Sequence, residues 1–547
     1  MEIATKIHDE KLDASIQSSI DSLLSEKIIE RVFEKDHTVW SPNPEEISNR
    51  LGWLDTPDDM LSEIDSINTF IADIIKNKFK HVVLLGMGGS SLAPEVFIKT
   101  FNSKKGFLQL SILDTTDSTS ISKLENSLNL KETLFIAASK SGSTVETLSL
   151  LKYFYSVIKN NSETKDPGEH FIAITDPGSH LEKTAQKYNF RKIFINNPNI
   201  GGRYSALSFF GLVPAALIGV DIHKLLASAQ EMKKVLLENS DQSNPGLVLA
   251  SFLGESHNSG KDKLILDFSP KLRSFGNWGE QLIAESTGKS GSGILPIVET
   301  SSNQVSSLPS DHIAIILHEG NIGDKPINEA FPASTIPTLN IEIEDHYELG
   351  AQFYLWEFAT AVAGHLINVQ PFDQPDVEKA KIIARQIVSD FKENGFLPTS
   401  TSALYQVDEL TNFLSKIQKN DYISIQAYIP SRFNTTKILE NFRYALSNKY
   451  NVGTTLGYGP RYLHSTGQLH KGDAGKGLYI QIITMPKTDI KIPDNFDDEE
   501  FTLTFNQLKL SQAIGDAKAL LSLGRKVISF QIMEKDIAEL EEWARKI

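Results

Sequence analysis

The regular alternation of apolar runs with helix-length segments, which begins near Lys80, limits this chain to few folds. Residues 81–85, 108–113, 133–138 and 171–174 each have the length and apolar character of a buried strand. Helix-length stretches separate these runs, and that order is typical of a doubly wound parallel sheet. The sequence therefore predicts an α/β domain built on a parallel sheet.

Two further units follow the first along the chain. The second has strand candidates at 263–268, 312–317 and 338–343, with helical patterns at 348–367 and 375–391. The remaining strand candidates are 423–429, 478–483 and 527–532, with an acidic, proline-containing linker at 486–500 and a last helical pattern at 534–547. Because 547 residues exceed what one core holds, we expect two doubly wound parallel-sheet domains plus a smaller C-terminal α/β region. The expected divisions are a helical segment over 1–45, the two large α/β domains over 46–239 and 240–396, and the C-terminal region over 397–547.

Composition excludes several chemistries. The chain has no cysteine, which rules out disulfides, thiolate catalysis, iron–sulfur clusters and cysteine zinc sites. A net charge of −15 argues against nucleic acid as a partner, because backbone phosphates demand a basic face. The longest apolar stretch, 207–220, is interrupted by Ser208 and Pro214, so we expect a buried core helix there and no membrane span. The N-terminus lacks a signal-peptide pattern, and we expect a cytoplasmic protein with no membrane partner.

The first glycine-rich loop, residues 86–91 (GMGGSS), lies between a strand candidate and a helical pattern, as a dinucleotide site would. Asp114, at the end of the next strand, stands roughly where a ribose-binding acid would. The dinucleotide fingerprint fails at its last position, Ser91, and no lysine follows the glycines as a phosphate-binding P-loop requires. What remains is a loop whose Gly89 lets a ligand approach the backbone and whose Ser90 offers a hydroxyl. Glycines that only make a tight turn are the alternative.

The second loop, residues 139–144 (SKSGST), is rich in hydroxyl side chains and precedes a helical pattern that begins near Val145. Short hydroxyls and free N–H groups at a helix N-terminus suit a phosphate dianion, which the helix dipole also favours by roughly 0.3–1 kcal/mol. Ordinary N-capping by Ser143 or Thr144, with Glu146 in the first turn, is the alternative. One cap would explain one hydroxyl and not four, so the loop predicts a phosphate site.

Several motifs resemble, in order and spacing, those of the phosphoglucose isomerase (glucose-6-phosphate isomerase) family. The matching segments are GMGGS at 86–90, SKSGSTVET at 139–147, GGRYS at 201–205, QLIAESTGK at 281–289 and FDQPDVE at 372–378. The resemblance runs from about residue 40 to about residue 395. A glycine-rich segment at 456–468 also looks like the isomerase half of transaldolase–phosphoglucose isomerase fusions.

The resemblance implies two domains of the sugar-isomerase type that interconvert glucose 6-phosphate and fructose 6-phosphate through a cis-enediol. That chemistry needs a general base at carbon and positive charge beside the developing oxyanion. The family's base is the glutamate of its Glu-Ser-x-Gly-Lys motif, which matches Glu285, and its enediolate-stabilising arginine matches Arg203. The reaction implies no metal and no other cofactor, and the expected partner is a small sugar phosphate.

The same resemblance assigns the substrate contacts. The phosphate-binding residues are Ser139, Lys140, Ser141, Ser143 and Thr144, and the remaining contacts are Gly89, Ser90, Gly202 and Glu146. Because these residues come from separate segments, we expect the site in a cleft between the two large α/β domains.

Ring opening is assigned in the family to a histidine and a lysine. The best match for the histidine is His312, with His318 as the alternative, and either suits a proton shuttle because histidine titrates near neutrality. The lysine matches Lys381, with Lys379 nearby. On a helix these two lysines point about 200° apart, so only one can enter the site. The family's Trp-Gly pair reads Pro-Asp at 375–376, and a helix can start at that proline.

Other functions stay open on the sequence alone. They are a non-catalytic sugar-phosphate sensor on the same fold, an isomerase that also accepts mannose 6-phosphate, and a nicotinamide dehydrogenase. The failed fingerprint disfavours the dehydrogenase. The segment 456–472 is open to three interpretations, as a lid, an oligomer contact or a second anion site, and a homo-oligomer is equally open.

Overall fold

The computed structural model describes residues 2–7, 9–161, 166–299, 308–320, 336–394, 403–404, 407–486, 488–497 and 500–546. These ranges contain three five-stranded sheets and one two-stranded ribbon, with helices packed around the sheets. None of the helices described is long and apolar enough to cross a membrane.

The strands are, in chain order, β1 Glu2–Lys6, β2 His81–Gly86, β3 Gln109–Leu113, β4 Thr133–Ala138, β5 Phe171–Thr175, β6 Lys192–Ile195, β7 Lys263–Phe268, β8 Leu295–Val298, β9 His312–Glu319, β10 Thr338–Ile343, β11 Ala403–Leu404, β12 Tyr422–Tyr428, β13 Gly453–Tyr458, β14 Gly477–Met485, β15 Lys491–Ile492, β16 Leu503–Thr504 and β17 Lys526–Met533.

The helices are α1 Glu10–Ser25, α2 Ile28–Phe33, α3 Thr56–Asp59, α4 Ile64–Lys76, α5 Gly89–Phe101, α6 Ser118–Ser127, α7 Val145–Lys159, α8 His180–Lys187, α9 Phe209–Leu217, α10 Ile222–Glu238, α11 Pro245–Asn258, α12 Arg273–Thr287, α13 Leu349–Leu366, α14 Glu378–Asn394, α15 Val407–Leu414, α16 Phe433–Tyr450, α17 Gly467–Gly472, α18 Phe505–Ser522 and α19 Glu539–Lys546.

The first sheet has the strand order β3-β2-β4-β5-β6, and every neighbouring pair is parallel. Strands β4 and β5 are buried along their whole length. Parallel strands covered by helices on both faces are read in sequence as continuous apolar runs, which is why the sequence predicted them. The doubly wound first domain is confirmed, and the apolar stretch 207–220 forms the buried helix α9 as predicted.

The second sheet has the order β1-β10-β9-β7-β8, in which β1 is antiparallel and the other pairs are parallel. The prediction of an N-terminal helical segment is therefore wrong at its start, because residues 2–6 form an edge strand on β10. A five-residue strand shows too little periodicity to be recognised, and its pairing partner is distant in sequence. Helix α1 follows, with the Asp9 side chain accepting the Leu12 N–H as its N-cap.

The C-terminal region contains the third sheet, with the order β11-β17-β14-β12-β13 and all pairs parallel. Its strands near 423–429, 478–483 and 527–532 are confirmed as β12, β14 and β17, whereas β13 was not predicted. The expected division between 396 and 397 lies outside the described residues, and the other domain divisions stay predictions.

Buried polar contacts hold the C-terminal region against the first domain. Lys509 of α18 donates to the Asp117 carboxylate at 3.0 Å and to the Thr484 carbonyl at 2.9 Å, and the lysine and aspartate are both fully buried. Nearby, Lys152 of α7 donates to the Asp494 carbonyl at 2.7 Å. These contacts fix α18 beside the carboxyl end of the first sheet.

We expect Lys509→Met to destabilise the protein strongly. The substitution leaves the Asp117 carboxylate buried without its cation, which typically costs about 3–5 kcal/mol in the free energy of unfolding. The matched control is Lys80→Met, which removes the exposed ion pair of Lys80 with Glu132 and should cost far less, because water screens exposed charges. Denaturant unfolding of the purified proteins measures both, and equal losses would contradict the inference.

Candidate active site

The hydroxyl-rich loop, Ser139 to Thr144, connects the carboxyl end of β4 to α7. Ser139 Oγ lies 3.0 Å from Thr144 Oγ1, and Ser141 Oγ lies 2.8 Å from Ser143 Oγ. Ser139 is buried, whereas Ser141 and Ser143 are exposed. Gly142 makes the turn in the left-handed region, with a φ of +68°. The loop therefore presents the hydroxyls of Ser141 and Ser143 to solvent.

The first turn of α7 has no side-chain cap. The hydroxyl of its N-cap residue, Thr144, lies against Ser139 and accepts no N–H from the helix. In the same turn Thr147 Oγ1 is buried and has no hydrogen-bond partner. Ordinary N-capping thus does not explain the hydroxyls, and the free N–H groups favour a bound anion. Thr147 is a candidate anion contact that the sequence interpretation left out, although it belongs to the same motif.

Lys140 has partners within the protein. Its ammonium donates to the Asp176 carboxylate and, at 2.7 Å, to the Pro198 carbonyl. Lys140 therefore links the hydroxyl-rich loop to the segments that follow β5 and β6, and its ammonium already has two hydrogen-bond partners within the protein.

The glycines of the first loop allow protein segments to come close. A Cβ atom on Gly88 would lie 2.7 Å from the His464 carbonyl oxygen, and one on Gly89 would lie 2.0 Å from the Gly202 carbonyl oxygen. Backbone from other segments thus occupies the space where a dinucleotide fold holds the pyrophosphate. Gly89 and Gly202 lie together, as the sequence predicted, and the half-buried Ser90 follows them on α5. The dehydrogenase alternative does not fit this arrangement.

Glu285, the predicted base, is buried near the end of α12. Its Oε2 accepts a hydrogen bond from Gln374 Nε2 at 2.5 Å and lies 3.8 Å from an Arg203 guanidinium nitrogen. Burial raises the pKa of Glu285 to about 7, although the charges of Arg203, His464, Lys381 and Lys289 lower it. A carboxyl group with this pKa can both take and return a proton near neutral pH.

Arg203 lies on the short 3-10 turn Gly202–Tyr204 and is 4% exposed. Its Nε donates to Ser286 Oγ at 2.9 Å, and Nη2 donates to the carbonyl oxygens of Pro371 and Asp373. These bonds fix one side of the guanidinium, so that Nη1 is the nitrogen near Glu285. A buried, permanently charged group beside the base suits the stabilisation of an oxyanion.

Lys289 fixes the segment that carries Gln374. Its ammonium donates to the Gln370 and Asp373 carbonyl oxygens at 2.7 and 2.8 Å, and to Asp373 Oδ1 at 2.7 Å. Burial and the charge of Arg203 lower the pKa of Lys289 to about 7. Residues 370–374 are thus bound from both sides, by Arg203 and by Lys289, and this places the Gln374 amide on Glu285.

Lys381 lies near the start of α14, half exposed, with its ammonium 3.6 Å from a Glu378 carboxylate oxygen. Its charge lowers the pKa of Glu285, so it stands within electrostatic reach of the base. The side chain of Lys379 lies outside the described residues.

The structure does not bring His312 to the site. His312 is the first residue of β9, and its Nδ1 lies 2.8 Å from Asp311 Oδ1 in a buried cluster with Lys263. Although burial would raise it, the contacts of Asp311 with His312 and Lys263 lower the pKa of Asp311 to about 2. His318 lies further along β9, in register with Glu342 of β10. These contacts of His312 with Asp311, in a cluster with Lys263, do not support its assignment to ring opening, which rests on a motif match with different flanking residues and stays a prediction.

His464 is a histidine that the structure places near Glu285. It ends the 3-10 turn Arg461–His464, between β13 and α17, and its Nε2 lies 2.9 Å from Glu146 Oε1. Its carbonyl oxygen accepts the Gln281 amide at 2.6 Å, and its charge acts on Glu285. The segment 456–472 is thus part of the site. The glycines and histidines of this segment could have indicated a functional role, but the sequence alone did not show that the segment packs against the first domain.

Glu146 is buried in the first turn of α7, directly after the hydroxyl-rich loop. Its Oε1 accepts both the His464 ring nitrogen and, at 2.6 Å, the Gln512 amide. Burial alone would raise the pKa of Glu146, but the charge of His464 and these hydrogen bonds lower it below its usual value. Glu146 therefore links the hydroxyl-rich loop to His464 and, through His464, to Glu285.

A metal site was not expected, and among the described residues no group of three or more histidine and acidic side chains is arranged to hold a metal ion. The site consists of a buried carboxyl near neutral pKa, a fixed guanidinium, a histidine held by a carboxylate, and a loop suited to an anion. Together these groups can bind a phosphate ester and move protons beside a developing negative charge.

Comparison with known structures defines the class of fold. A glucose-6-phosphate isomerase from Chlamydia trachomatis superposes with a TM-score of 0.59 at 18% identity, covering 72% of this chain and 89% of its own. A hypothetical protein from Thermus thermophilus gives the same TM-score at 23% identity, covering 70% of this chain and 99% of its own. The protein thus shares the α/β fold of these two structures.

Comparison of sequences gives the family. The family model named "Phosphoglucose isomerase" matches residues 58–307. A probable glucose-6-phosphate isomerase of Methanococcus maripaludis is 29% identical over 409 residues, which cover 67% of this chain and 89% of that protein. The glucose-6-phosphate isomerase of Campylobacter jejuni is 28% identical over 390 residues, 63% of this chain and 94% of its own. Residues 58–307 match the phosphoglucose isomerase family model, and the resemblance recognised in the motifs is confirmed.

We expect the Glu285 carboxyl to titrate near pH 7, because burial raises its pKa to about 7. Arg203→Met should raise this pKa further, since a nearby cation favours the charged carboxylate. Carbon-13 NMR of glutamate-labelled protein measures the titration, and the signal that disappears in Glu285→Gln is assigned to Glu285. A midpoint near the ordinary value of 4.5 would contradict the inferred environment.

Proposed function

We propose that this protein interconverts glucose 6-phosphate and fructose 6-phosphate, as the names of its curated relatives state for those proteins. The observation that carries the proposal is the buried Glu285 carboxyl, with a pKa raised to about 7, beside the fixed guanidinium of Arg203. The reaction is an intramolecular aldose–ketose isomerisation and belongs to glycolysis and gluconeogenesis. We place it in the cytoplasm, where such sugar phosphates are made and used.

The phosphate group binds first at the loop from Ser139 to Thr144. The exposed hydroxyls of Ser141 and Ser143 and the uncapped N–H groups of α7 supply hydrogen-bond donors. Because Glu146 follows this loop and holds His464, a sugar anchored by its phosphate extends towards His464 and Glu285.

Ring opening breaks the bond between C1 and the ring oxygen of glucose 6-phosphate. The ring oxygen gains a proton and the C1 hydroxyl loses one, which leaves the open-chain aldehyde. His464 is the acid–base group for this step, since Glu146 fixes Nε2 as the protonated nitrogen and leaves Nδ1 to exchange a proton. Lys381 contributes positive charge that acts on Glu285.

Proton transfer then occurs at carbon. Glu285 takes the proton from C2 of the aldehyde, and the electron pair moves to the carbonyl oxygen on C1 to give a cis-enediolate. Arg203 balances this negative charge at the enediolate oxygens. After a proton has passed from the C2 oxygen to the C1 oxygen, Glu285 returns its proton to C1 and the product is the ketose.

The environment of Glu285 also favours an isomerase over the alternative of a non-catalytic sensor. A non-catalytic sensor needs the phosphate loop, but it has no use for a buried carboxyl held near neutral pKa beside a guanidinium. An additional activity towards mannose 6-phosphate depends on the contacts around C2 of the sugar and stays a prediction, as does a homo-oligomer.

We expect Glu285→Gln to lower kcat with fructose 6-phosphate by about a thousandfold or more, because the amide cannot accept the proton from carbon. A coupled assay of purified protein measures turnover, and binding of the substrate should be retained because the phosphate loop is unchanged. Activity of the wild type should persist with a chelator present. Wild-type protein that binds fructose 6-phosphate without turnover would establish the sensor, and an active Glu285→Gln would exclude this base.

We expect His464→Asn to lower kcat by about a hundredfold, because general acid–base catalysis typically contributes 10²–10⁴-fold. The matched control is His312→Asn, which changes the histidine that the structure places away from the site and should keep kcat within about threefold of the wild type. Unfolding temperatures of both variants account for any loss of folded protein. Loss of turnover in the His312 variant, with the His464 variant active, would restore the motif-based assignment.

A further inference from the structure

We propose that Gln512 of α18 is a positioning residue of the active site, whose amide holds the Glu146 carboxylate in the orientation that fixes His464. Gln512 lies outside residues 58–307, where the family match is found, and no motif of the sequence drew attention to it. The inference rests on the proposed function for its effect on turnover, but the contact that it describes is independent of that function.

The carboxylate oxygen that holds the histidine is shared. Glu146 Oε1 accepts His464 Nε2 at 2.9 Å and Gln512 Nε2 at 2.6 Å. Gln512 is 5% exposed and Glu146 is 3% exposed. Water therefore has little access to this oxygen, and the two side-chain donors supply its hydrogen bonds.

The Gln512 amide is fixed at both ends. A carboxylate only accepts hydrogen bonds, so the NH₂ group of the amide must face Glu146. The amide oxygen in turn accepts the Thr116 hydroxyl at 3.0 Å, and Thr116 is buried at the end of the first sheet. Gln512 thus cannot turn away without loss of two buried hydrogen bonds.

The helix that carries Gln512 is held on the same side by charged contacts. Lys509 and Asp516 lie three residues before and four residues after Gln512, so the three side chains share one face of α18. Lys509 donates to Asp117 of the first domain. Asp516 accepts Lys471 Nζ at 2.6 Å and the Tyr462 hydroxyl at 2.8 Å, and both donors belong to the segment that carries His464. This face of α18 therefore joins the phosphate-binding domain to the histidine segment.

The groups that face Glu146 and His464 come from several elements. Glu146 faces His464 of the 3-10 turn. The negative charge of Glu146 also helps to raise the pKa of Tyr428 of β12. His464 also acts on Glu285 of α12. The cations beside Glu285 are Arg203, Lys289 and Lys381.

Loss of the amide removes one of the two side-chain hydrogen bonds to Glu146 Oε1. A buried carboxylate oxygen that loses a donor is left partly unsatisfied, which is costly. Without Gln512, the Glu146 carboxylate is free to reorient and holds the His464 ring less well. Among the described residues the hydrogen bonds of the Gln512 side chain go to Thr116 and Glu146 and not to residues 139–144 or Glu285, so its loss should affect the chemical step more than substrate binding.

The experiment uses two substitutions at Gln512 and one surface control. Gln512→Leu removes the donor, whereas Gln512→Glu keeps the shape and can donate to Glu146 only when its new carboxyl is protonated. The control is Gln186→Leu, because Gln186 of α8 makes the same kind of amide–carboxylate contact, with Glu182 at 3.2 Å, on the exposed surface. Each protein is assayed with fructose 6-phosphate between about pH 6 and about pH 8.5, a range in which a carboxyl pair can hold one proton.

For Gln512→Leu we expect kcat to fall about tenfold or more at all pH values, with KM within about threefold of the wild type. For Gln512→Glu the activity relative to wild type should rise about fivefold or more as the pH falls, since protonation restores the donor. If Gln512 had only a structural role, the ratio of Gln512→Glu activity to wild-type activity would not change with pH. The proposal is overturned if that ratio stays flat or if Gln512→Leu matches the Gln186→Leu control.

Failure of the proposed function would be recognised separately. The ring signals of His464, assigned by their absence in His464→Asn, report the contact with Glu146 by NMR whether or not the protein has activity. We expect Gln512→Leu to shift these signals and Gln186→Leu to leave them unchanged. Unshifted His464 signals in folded Gln512→Leu would overturn the positioning role, whereas an inactive wild type would overturn the isomerase.

Discussion

Burial of the Glu285 carboxyl beside the Arg203 guanidinium is the constraint on which the rest of the site depends. Burial raises the pKa of Glu285 to about 7, and Arg203 prevents a larger rise. The guanidinium must then be held in place, which the Ser286 hydroxyl and the carbonyl oxygens of Pro371 and Asp373 accomplish. Lys289 donates to the Asp373 carboxylate and so holds the same segment, residues 370–374. Several buried charges are thus tolerated because each satisfies another.

Sequence reasoning succeeded where the signal was local. Strands β2, β4 and β5 appear as uninterrupted apolar runs because helices cover both faces of the sheet. The phosphate-type loop was recognised since its hydroxyls are contiguous and directly precede α7. Glu285 and Arg203 were found because each lies within a short motif, and the structure brings them within 3.8 Å of each other.

It failed where a position depends on distant parts of the chain. His464 reaches Glu146 only because β13 and its following turn bring the third sheet's edge to the first domain. His312 looked similar in sequence, yet it lies at the start of its strand against Asp311 and Lys263. The strand β1 was missed for the same reason, since β10 alone makes it a strand. In each case pairing partners, and not local propensity, determine the structure.

The location of α18 near the end of the chain bears on how the protein is made. The hydroxyl-rich loop and Glu285 leave the ribosome well before His464 and Gln512 do. Domains generally fold in the order of synthesis, at about 5–20 residues per second, so the delay is on the order of ten seconds. During that interval a nascent chain carries the anion-binding loop but lacks its histidine and the helix that holds it. The hydroxyl-rich loop and Glu285 are therefore synthesised before the histidine and the helix that contact Glu146.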